Sequence, residues 1–458
     1  MKNGMRLSMA SLAAMSSVSC LAAQEADTRP NVIIILADDL GYGDLGCYGH
    51  PIIKTPNLDR MASEGMRMTQ FYSAAGVSTP SRASLLTGRY PVRTGMYGDE
   101  WSVLYWDAPE GLPSDELTFA QIINEGGYDT SCVGKWHLGK DAPYLPADFG
   151  FDYWFGVPYA NNFKPLPLYE SVDGGNAVLL EENVEQGALT RRYTEKVKEI
   201  IRERDEDPFL IYYASHAPHV PLTVTKEFEG KSRRGRYGDV VEELDWSVGE
   251  ILKELKKEGI DDRTLVLFTS DNGPWLSMKM RGGSSGLLRG GKGAAWEGGF
   301  RVPAIVRYPG VVPQGTTCYN IAGMIDIFPT VLSLSGLDMP EGRVIDGVDM
   351  TPMLTSPKTV VRKEFAYWCG SSLRAVRKGK WKLVYQPYKE WFIENGEDAS
   401  QMRPLLFNIE NDPSERIDLS ERRPEILEQM LKLRNEMLES TDIRPSVNDL
   451  RPVRRENK

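Results

Sequence analysis

Two hydrophobic patterns alternate along the first three quarters of the chain. Val32-Ile33-Ile34-Ile35-Leu36-Ala37 is an unbroken, mostly β-branched run, the pattern of a strand buried on both faces of a parallel sheet. Residues 209–213 and 265–268 repeat it, and 128–133 and 304–308 are weaker versions. Between these runs, residues 58–66, 117–124, 189–202 and 240–255 place apolar side chains at helical spacing. In the last of them Val241, Leu244, Val248, Ile251, Leu252 and Leu255 share one face. Strands alternating with helices predict an α/β fold, with a large, mostly parallel sheet between helices.

The pattern changes after about residue 344. Residues 365–368, 373–377 and 381–385 are short strand candidates, two of them joined through Lys378-Gly379-Lys380, and predict a small antiparallel sheet. A final amphipathic helix over 424–438 starts at Pro424 and turns Leu427, Met430, Leu431, Met437 and Leu438 inward. The chain of 458 residues is long enough for two cores. We expect a larger domain at 30–344 and a smaller α+β subdomain at 345–458, its charged end 451–458 frayed.

Composition narrows the class. Hydrophobic residues make up 41% and charged ones 26%, values of a globular protein. A net charge of -10 disfavours nucleic acid as a partner, so an anionic substrate has to be drawn by a local cluster of Lys and Arg. Lys2 and Arg6, the stretch 7–21 and Leu21-Ala22-Ala23 read as an export signal over 1–23, giving a periplasmic or secreted protein. Lipoprotein anchoring through Cys20 ranks second, because the residues before it fit poorly. No segment is long and apolar enough for a membrane span. Cys47, Cys132, Cys318 and Cys369 are few and widely spaced, and read as free thiols.

Polar residues with chemical capacity follow the strand candidates. Asp38-Asp39 come after the first run and Lys135-Trp136-His137 after 128–133. His216 and His219 follow 209–213, and Asp271-Asn272 follow 265–268. Ligands of open α/β sheets bind outside the carboxyl ends of the strands, so four segments deliver polar groups to one rim. Asp38, Asp39, Asp271 and Asn272 form an all-oxygen set suited to Ca²⁺ or Mg²⁺. Asp38-Asp39 alone would read as a solvated loop or a helix cap; the second pair shifts the balance to metal. In Ser78-Thr79-Pro80-Ser81-Arg82-Ala83-Ser84-Leu85-Leu86-Thr87-Gly88-Arg89, Pro80 fits a helix's first turn and Gly88 its stop. Ser78 then sits at a helix N-terminus, which favours an anion, with Arg82 one turn on along the same side.

That segment resembles the signature of the type I, formylglycine-dependent sulfatases, Cys/Ser-x-Pro-Ser/Ala-Arg followed by Leu-Thr-Gly. The stretch 31–310 is similar to arylsulfatase A and N-acetylgalactosamine-6-sulfatase. It includes Leu36-Ala37-Asp38-Asp39-Leu40-Gly41-Tyr42-Gly43-Asp44, Gly134-Lys135-Trp136-His137-Leu138-Gly139, Ser270-Asp271-Asn272-Gly273 and Gly291-Lys292-Gly293. Leu406-Phe407-Asn408-Ile409-Glu410-Asn411-Asp412-Pro413 resembles the family's small-sheet domain. The resemblance implies an alkaline-phosphatase-like fold and hydrolysis of sulfate esters. It implies that Asp38, Asp39, Asp271, Asn272 and the modified Ser78 hold one divalent cation, usually calcium. Ser78, oxidised to formylglycine, would be the nucleophile, His137 a base and His219 the acid for the leaving oxygen. Arg82, Lys135 and Lys292 would stabilise charge on the sulfate. Of the other histidines, His50 reads as a core or loop residue and His216 as a supporting or substrate-contacting one.

Two departures matter. Serine at 78, in place of cysteine, is the bacterial form matured by an anaerobic, iron–sulfur radical enzyme, which becomes an expected partner. Ala160, in Tyr159-Ala160-Asn161-Asn162, stands where arylsulfatase A has a serine near the sulfate. The expected substrate is a sulfated carbohydrate, with sulfate on a terminal galactose or N-acetylgalactosamine. Trp101, Tyr105, Trp106, Tyr153 and Trp154 are candidates for stacking on sugar rings. Two alternatives stay open: a phosphatase or phosphodiesterase of the same superfamily, or an unmodified, inactive glycan-binding relative.

Overall fold

The computed structural model describes residues 29–385 and 403–451. The expected export signal, Cys20 and nearly all of the charged end lie outside the described residues.

Eleven strands make one mixed sheet. In chain order they are β1 (Asn31–Ala37), β2 (Met66–Tyr72), β3 (Asp129–Lys135), β4 (Tyr153–Val157), β5 (Leu168–Ser171), β6 (Val178–Glu181), β7 (Phe209–Ala214), β8 (Thr264–Ser270), β9 (Arg301–Arg307), β10 (Thr316–Cys318) and β11 (Ala322–Gly323). Their order is β10-β2-β9-β8-β1-β7-β3-β4-β5-β6, with β11 also beside β2. The centre, β8-β1-β7-β3-β4, is parallel, and β9 and β5 run against their neighbours.

The β-branched run of β1 explains its central place. All seven residues are buried: Val32, Ile34 and Leu36 enter one core, Ile33, Ile35 and Ala37 the other. Burying each such side chain contributes about 1.5–3 kcal/mol, so polar substitution is resisted on both faces. The first core meets helices Ser78–Thr87, Phe119–Glu125 and Ile327–Leu334; the second meets Pro56–Glu64, Leu189–Glu203 and Arg236–Lys257. β9 bears out the strand expected near 304–308. Its direction, opposite to β8 and β2, could not be read from its composition.

The expected small sheet is present with four strands, β12 (Glu364–Cys369), β13 (Ser372–Lys378), β14 (Trp381–Val384) and β15 (Leu405–Asn408), all antiparallel. Helix Pro424–Glu439 packs on it through Met430 and Leu433, while Leu427, Leu431, Met437 and Leu438 are only partly buried. A third core ties this sheet to Tyr72 of β2 and to Trp296 and Phe300, which come just before β9. Cys47, Cys132 and Cys318 are free thiols. Among the described residues no helix is long and apolar enough to cross a membrane.

Candidate active site

The ten residues singled out as metal ligands or catalytic groups converge at the carboxyl ends of the central strands, and all are buried. β1 ends into Asp38 and Asp39, β3 ends at Lys135, and β8 ends into Asp271 and Asn272. These neighbours are held in register, since Asp271 N–H donates to Ala37 O at 3.0 Å and Asp38 N–H to Ala217 O at 2.9 Å. Asp39 and His137 have positive φ, 66° and 63°, strained conformations for non-glycine residues that the surrounding structure has to hold.

Ser78 opens the helix Ser78–Thr87, which Gly88 ends at φ 67°. A Cβ on Gly88 would also lie 2.8 Å from Phe328 Cβ, so glycine is required twice over. Arg82, one turn on, donates from Nε to Ser78 Oγ at 2.8 Å, from Nη1 to Lys135 O at 2.9 Å and from Nη2 to Asp271 Oδ2 at 3.1 Å. His137 Nδ1 lies 3.1 Å from Ser78 Oγ.

The aspartates do not need an ion merely to be buried. Lys135 Nζ donates to Asp38 Oδ2 at 2.5 Å, and Lys292 Nζ lies 2.7 and 2.9 Å from the two oxygens of Asp39. Asn272 Nδ2 donates to Asp39 Oδ1 at 2.7 Å, and Asp39 N–H to Asp271 Oδ1 at 3.1 Å. Two oxygens are left over: Asp38 Oδ1 and Asn272 Oδ1 are buried with no hydrogen-bond partner. Asp38, Asp39 and His219 also have the spacing of a metal-holding group. Unpaired buried oxygens are costly, and a hard cation satisfies them. Three carboxylates already face three cationic side chains, so a divalent ion would leave the cluster net positive, a local charge able to attract an anionic ester despite the chain's net -10.

Burial would raise Asp38, but Lys135, with His219 and Arg82, outweighs it and holds the carboxyl at about 2. Burial pushes Asp271 up, helped by the charge of Asp38. His137 is driven well below the usual histidine value by burial, then by Lys135 and Arg82. His219 is lowered by burial against the pull of Asp39, its Nε2 3.7 Å from Asp39 Oδ2. His216 is lowered to about 4 by burial; its ring packs on Tyr193, beneath the site. His50 is a loop residue whose Nδ1 accepts from Ile52 and Ile53 N–H.

Ser78, Lys135, His137, His219 and Lys292 line a cavity of about 550 Å³, a size that suits a small ligand. Trp101 and Tyr105 line it too. The other stacking candidates do not: Trp154 points into the first core against Tyr169, because β4 alternates its side chains. Tyr153 lies on the opposite face with its hydroxyl donating to Glu170, and Trp106 is exposed outside the cavity. Sequence reasoning missed Phe163, Trp275 and the rim formed by Asp99, Glu100, Cys369 and Gly370. Trp275, three residues after Asn272, was the one with a signal.

A helix-borne hydroxyl, a neutral imidazole and two lysines on one cavity, backed by a buried carboxylate cluster, define a hydrolase of anionic esters. Comparison with known proteins agrees. Residues 30–337 match the sulfatase family model, and 361–453 match the C-terminal region of aryl-sulfatase. The chain belongs to the sulfatase family and is a sulfuric ester hydrolase. It is 38% identical to N-acetylgalactosamine-6-sulfatase of Canis lupus familiaris over 88% of this chain and 84% of the relative. It is 37% identical to arylsulfatase A of Homo sapiens over 91% and 90%. Among solved structures, the PsFucS1 sulfatase from Pseudoalteromonas sp. aligns with a TM-score of 0.82 at 28% identity, covering 91% of this chain and 92% of that one.

Proposed function

We propose that Ser78 is oxidised to formylglycine and that the enzyme removes sulfate from a terminal galactose or N-acetylgalactosamine of a host or dietary glycan, after export to the periplasm or beyond. The observation that carries the reading is the position of Ser78 Oγ, shared between Arg82 Nε and His137 Nδ1 and facing the cavity. The similarity to N-acetylgalactosamine-6-sulfatase supports the sugar.

Asp38, Asp39, Asp271, Asn272 and the modified Ser78 would hold one Ca²⁺, or Mg²⁺, and the orphaned oxygens fit a hard ion. Such an ion would lower the charge cost of deprotonating a neighbouring hydroxyl. The hydrated aldehyde supplies one hydroxyl to displace the alcohol from sulfur and a second whose deprotonation expels sulfate and restores C=O.

His137 is suited to take that second proton. Its Nε2 lies 3.0 Å from Leu104 O, a group that only accepts, so Nε2 carries the hydrogen and Nδ1 keeps a lone pair towards residue 78. His219 has the complementary arrangement: Nδ1 faces Val220 O at 2.5 Å, leaving Nε2 towards the cavity to protonate the departing oxygen. Lys135, Lys292 and Arg82, fixed by the carboxylates, stabilise the charge gathering on the sulfate oxygens.

Maturation of a serine calls for an anaerobic radical enzyme in the producing cell. The test is mass spectrometry of the peptide containing Ser78 from enzyme matured in that way, alongside a panel of defined sulfated saccharides. A peptide lighter by one molecule of hydrogen, with sulfate released from a galactose or N-acetylgalactosamine ester, is expected. Sulfate release by enzyme with intact serine, or matured enzyme inert on every saccharide, overturns the proposal.

A further inference from the structure

The outer wall of the cavity is borne by a loop that the chemical steps do not use. Tyr97, Gly98, Asp99, Glu100, Trp101 and Tyr105 line one side. Trp101 and Tyr105 meet edge to face at 5.1 Å, and Tyr105 continues to Phe163 at 5.2 Å, giving a continuous aromatic surface.

The chain's last described residues hold this loop. Asp449 accepts three successive backbone N–H groups, Asp99 at 2.8 Å, Glu100 at 3.0 Å and Trp101 at 2.9 Å. Arg451 binds Asp107 through Nε at 2.6 Å and Nη2 at 3.1 Å. The same guanidinium lies 4.2 Å from the Trp101 ring centre and 4.1 Å from that of Tyr105. Val447 N–H reaches Gly95 O at 2.8 Å, and Ser371, in the turn of the small sheet, donates its N–H to Asp99 Oδ1 at 2.9 Å. The smaller domain thus shapes a cavity whose reacting groups all belong to the larger one.

We infer that Asp449 and Arg451 are positioning residues for substrate: they fix Trp101 and Tyr105 as a stacking wall for the sugar ring carrying, or next to, the sulfate. The inference rests on the glycan reading above. A flexible loop would pay ordering entropy whenever a sugar docked, and a prefixed one does not. The wall is separable from the chemistry because Leu104, whose carbonyl orients His137, is pinned independently by its N–H to Thr79 Oγ1 at 3.0 Å.

The experiment compares matured full-length enzyme with Arg451→Ala, Arg451→Lys and Asp449→Ala, on a small aryl sulfate and a sulfated N-acetylgalactosamine disaccharide, with thermal melting as the folding control. Loss of the stacked guanidinium should raise the disaccharide KM roughly tenfold, while kcat on the aryl sulfate stays within about twofold. Arg451→Lys should fall between, since an ammonium keeps the ion pair with Asp107 and loses the flat stack. An unchanged disaccharide KM, or equal losses on both substrates, overturns the inference. Wild-type enzyme that cleaves the aryl sulfate and no saccharide overturns the glycan reading instead.

Discussion

Leu104 O accepts from His137 Nε2 at 3.0 Å, on the far side of the imidazole from Ser78. The backbone carbonyl of a buried loop residue therefore selects the tautomer of the proposed base, and burial with two nearby cations keeps that imidazole neutral. If His137 serves sulfate release and not the first attack, the two half-reactions separate in its absence. His137→Ala should liberate about one equivalent of alcohol per active site and then slow by roughly 10²–10⁴-fold. Rapid-quench measurement with an aryl sulfate reads both phases. A variant with no burst and slow first release would place His137 in the attack.

Asp38, Asp39 and Asp271 share a pocket with buried oxygens that lack partners, so ion binding should also be visible as stability. Chelation should lower the melting temperature and abolish turnover, with calcium restoring both. At an ion concentration a hundred times Kd the gain is about 2.7 kcal/mol. Asp271→Ala should remove the calcium response. A melting temperature indifferent to calcium and magnesium in wild-type enzyme would falsify the ion site.

These groups were legible in the sequence because each directly follows a central strand, and a parallel sheet aligns such positions without further information. The edges were not legible. β5 and β6 have four residues each, β6 wholly exposed, so no burial pattern marks them. β2 is interrupted by a bulge between Met68 and Phe71, which breaks its period of two. The outer wall was only half visible. Trp101 and Tyr105 stand out as aromatics, but their setting depends on Asp449 and Arg451, some 350 residues away, and no local pattern records such a pairing. Trp154 shows the converse error, an aromatic that strand alternation commits to the core.

His219 offers a test that depends on the leaving group. An acid is needed when the departing alcohol is a poor leaving group and hardly at all when it is a nitrophenol. His219→Ala should thus cut kcat/KM on a saccharide sulfate by about 10²-fold or more and leave nitrophenyl sulfate within about tenfold. Burial, working against Asp39, holds His219 below its usual 6.5. The charged form then persists only on the acid side, and saccharide kcat/KM should fall as pH rises through that lowered value. Equal losses on both substrates would assign His219 to binding or to the ion.

Lys382 joins the two sheets, and its charge cannot be removed quietly. It is fully buried on β14, with Nζ 3.1 Å from Glu297 Oε1 and 2.8 Å from Glu415 Oε1. Glu297 lies in the short helix just before β9, and the hydroxyls of Tyr72 on β2 and Tyr367 on β12 also donate to it at 2.7 and 2.9 Å. Burial would raise Glu297, but Lys382, Arg377 and Arg301 together hold it at about 2. Glu415 goes the other way, pushed up from 4.5 to about 7 by burial with Glu297 opposing its charge. The signs follow. Glu297 contributes stability above its unfolded value, lost only as pH falls towards 2. Glu415 favours its proton in the folded state, so its contribution is lost as pH rises from 4.5 through 7. Lys382→Met leaves Glu415 without a cation and weakens the set around Glu297, and should cost about 3–5 kcal/mol. Because these groups are worst when ionised, the penalty should be largest near neutral or alkaline pH and shrink towards pH 5. Urea unfolding of wild type and variant at the two ends of that range measures it, and Glu415→Gln in the variant background should recover part of the loss at the higher pH. Equal penalties at both ends would mean that packing, not charge, holds the two sheets together here.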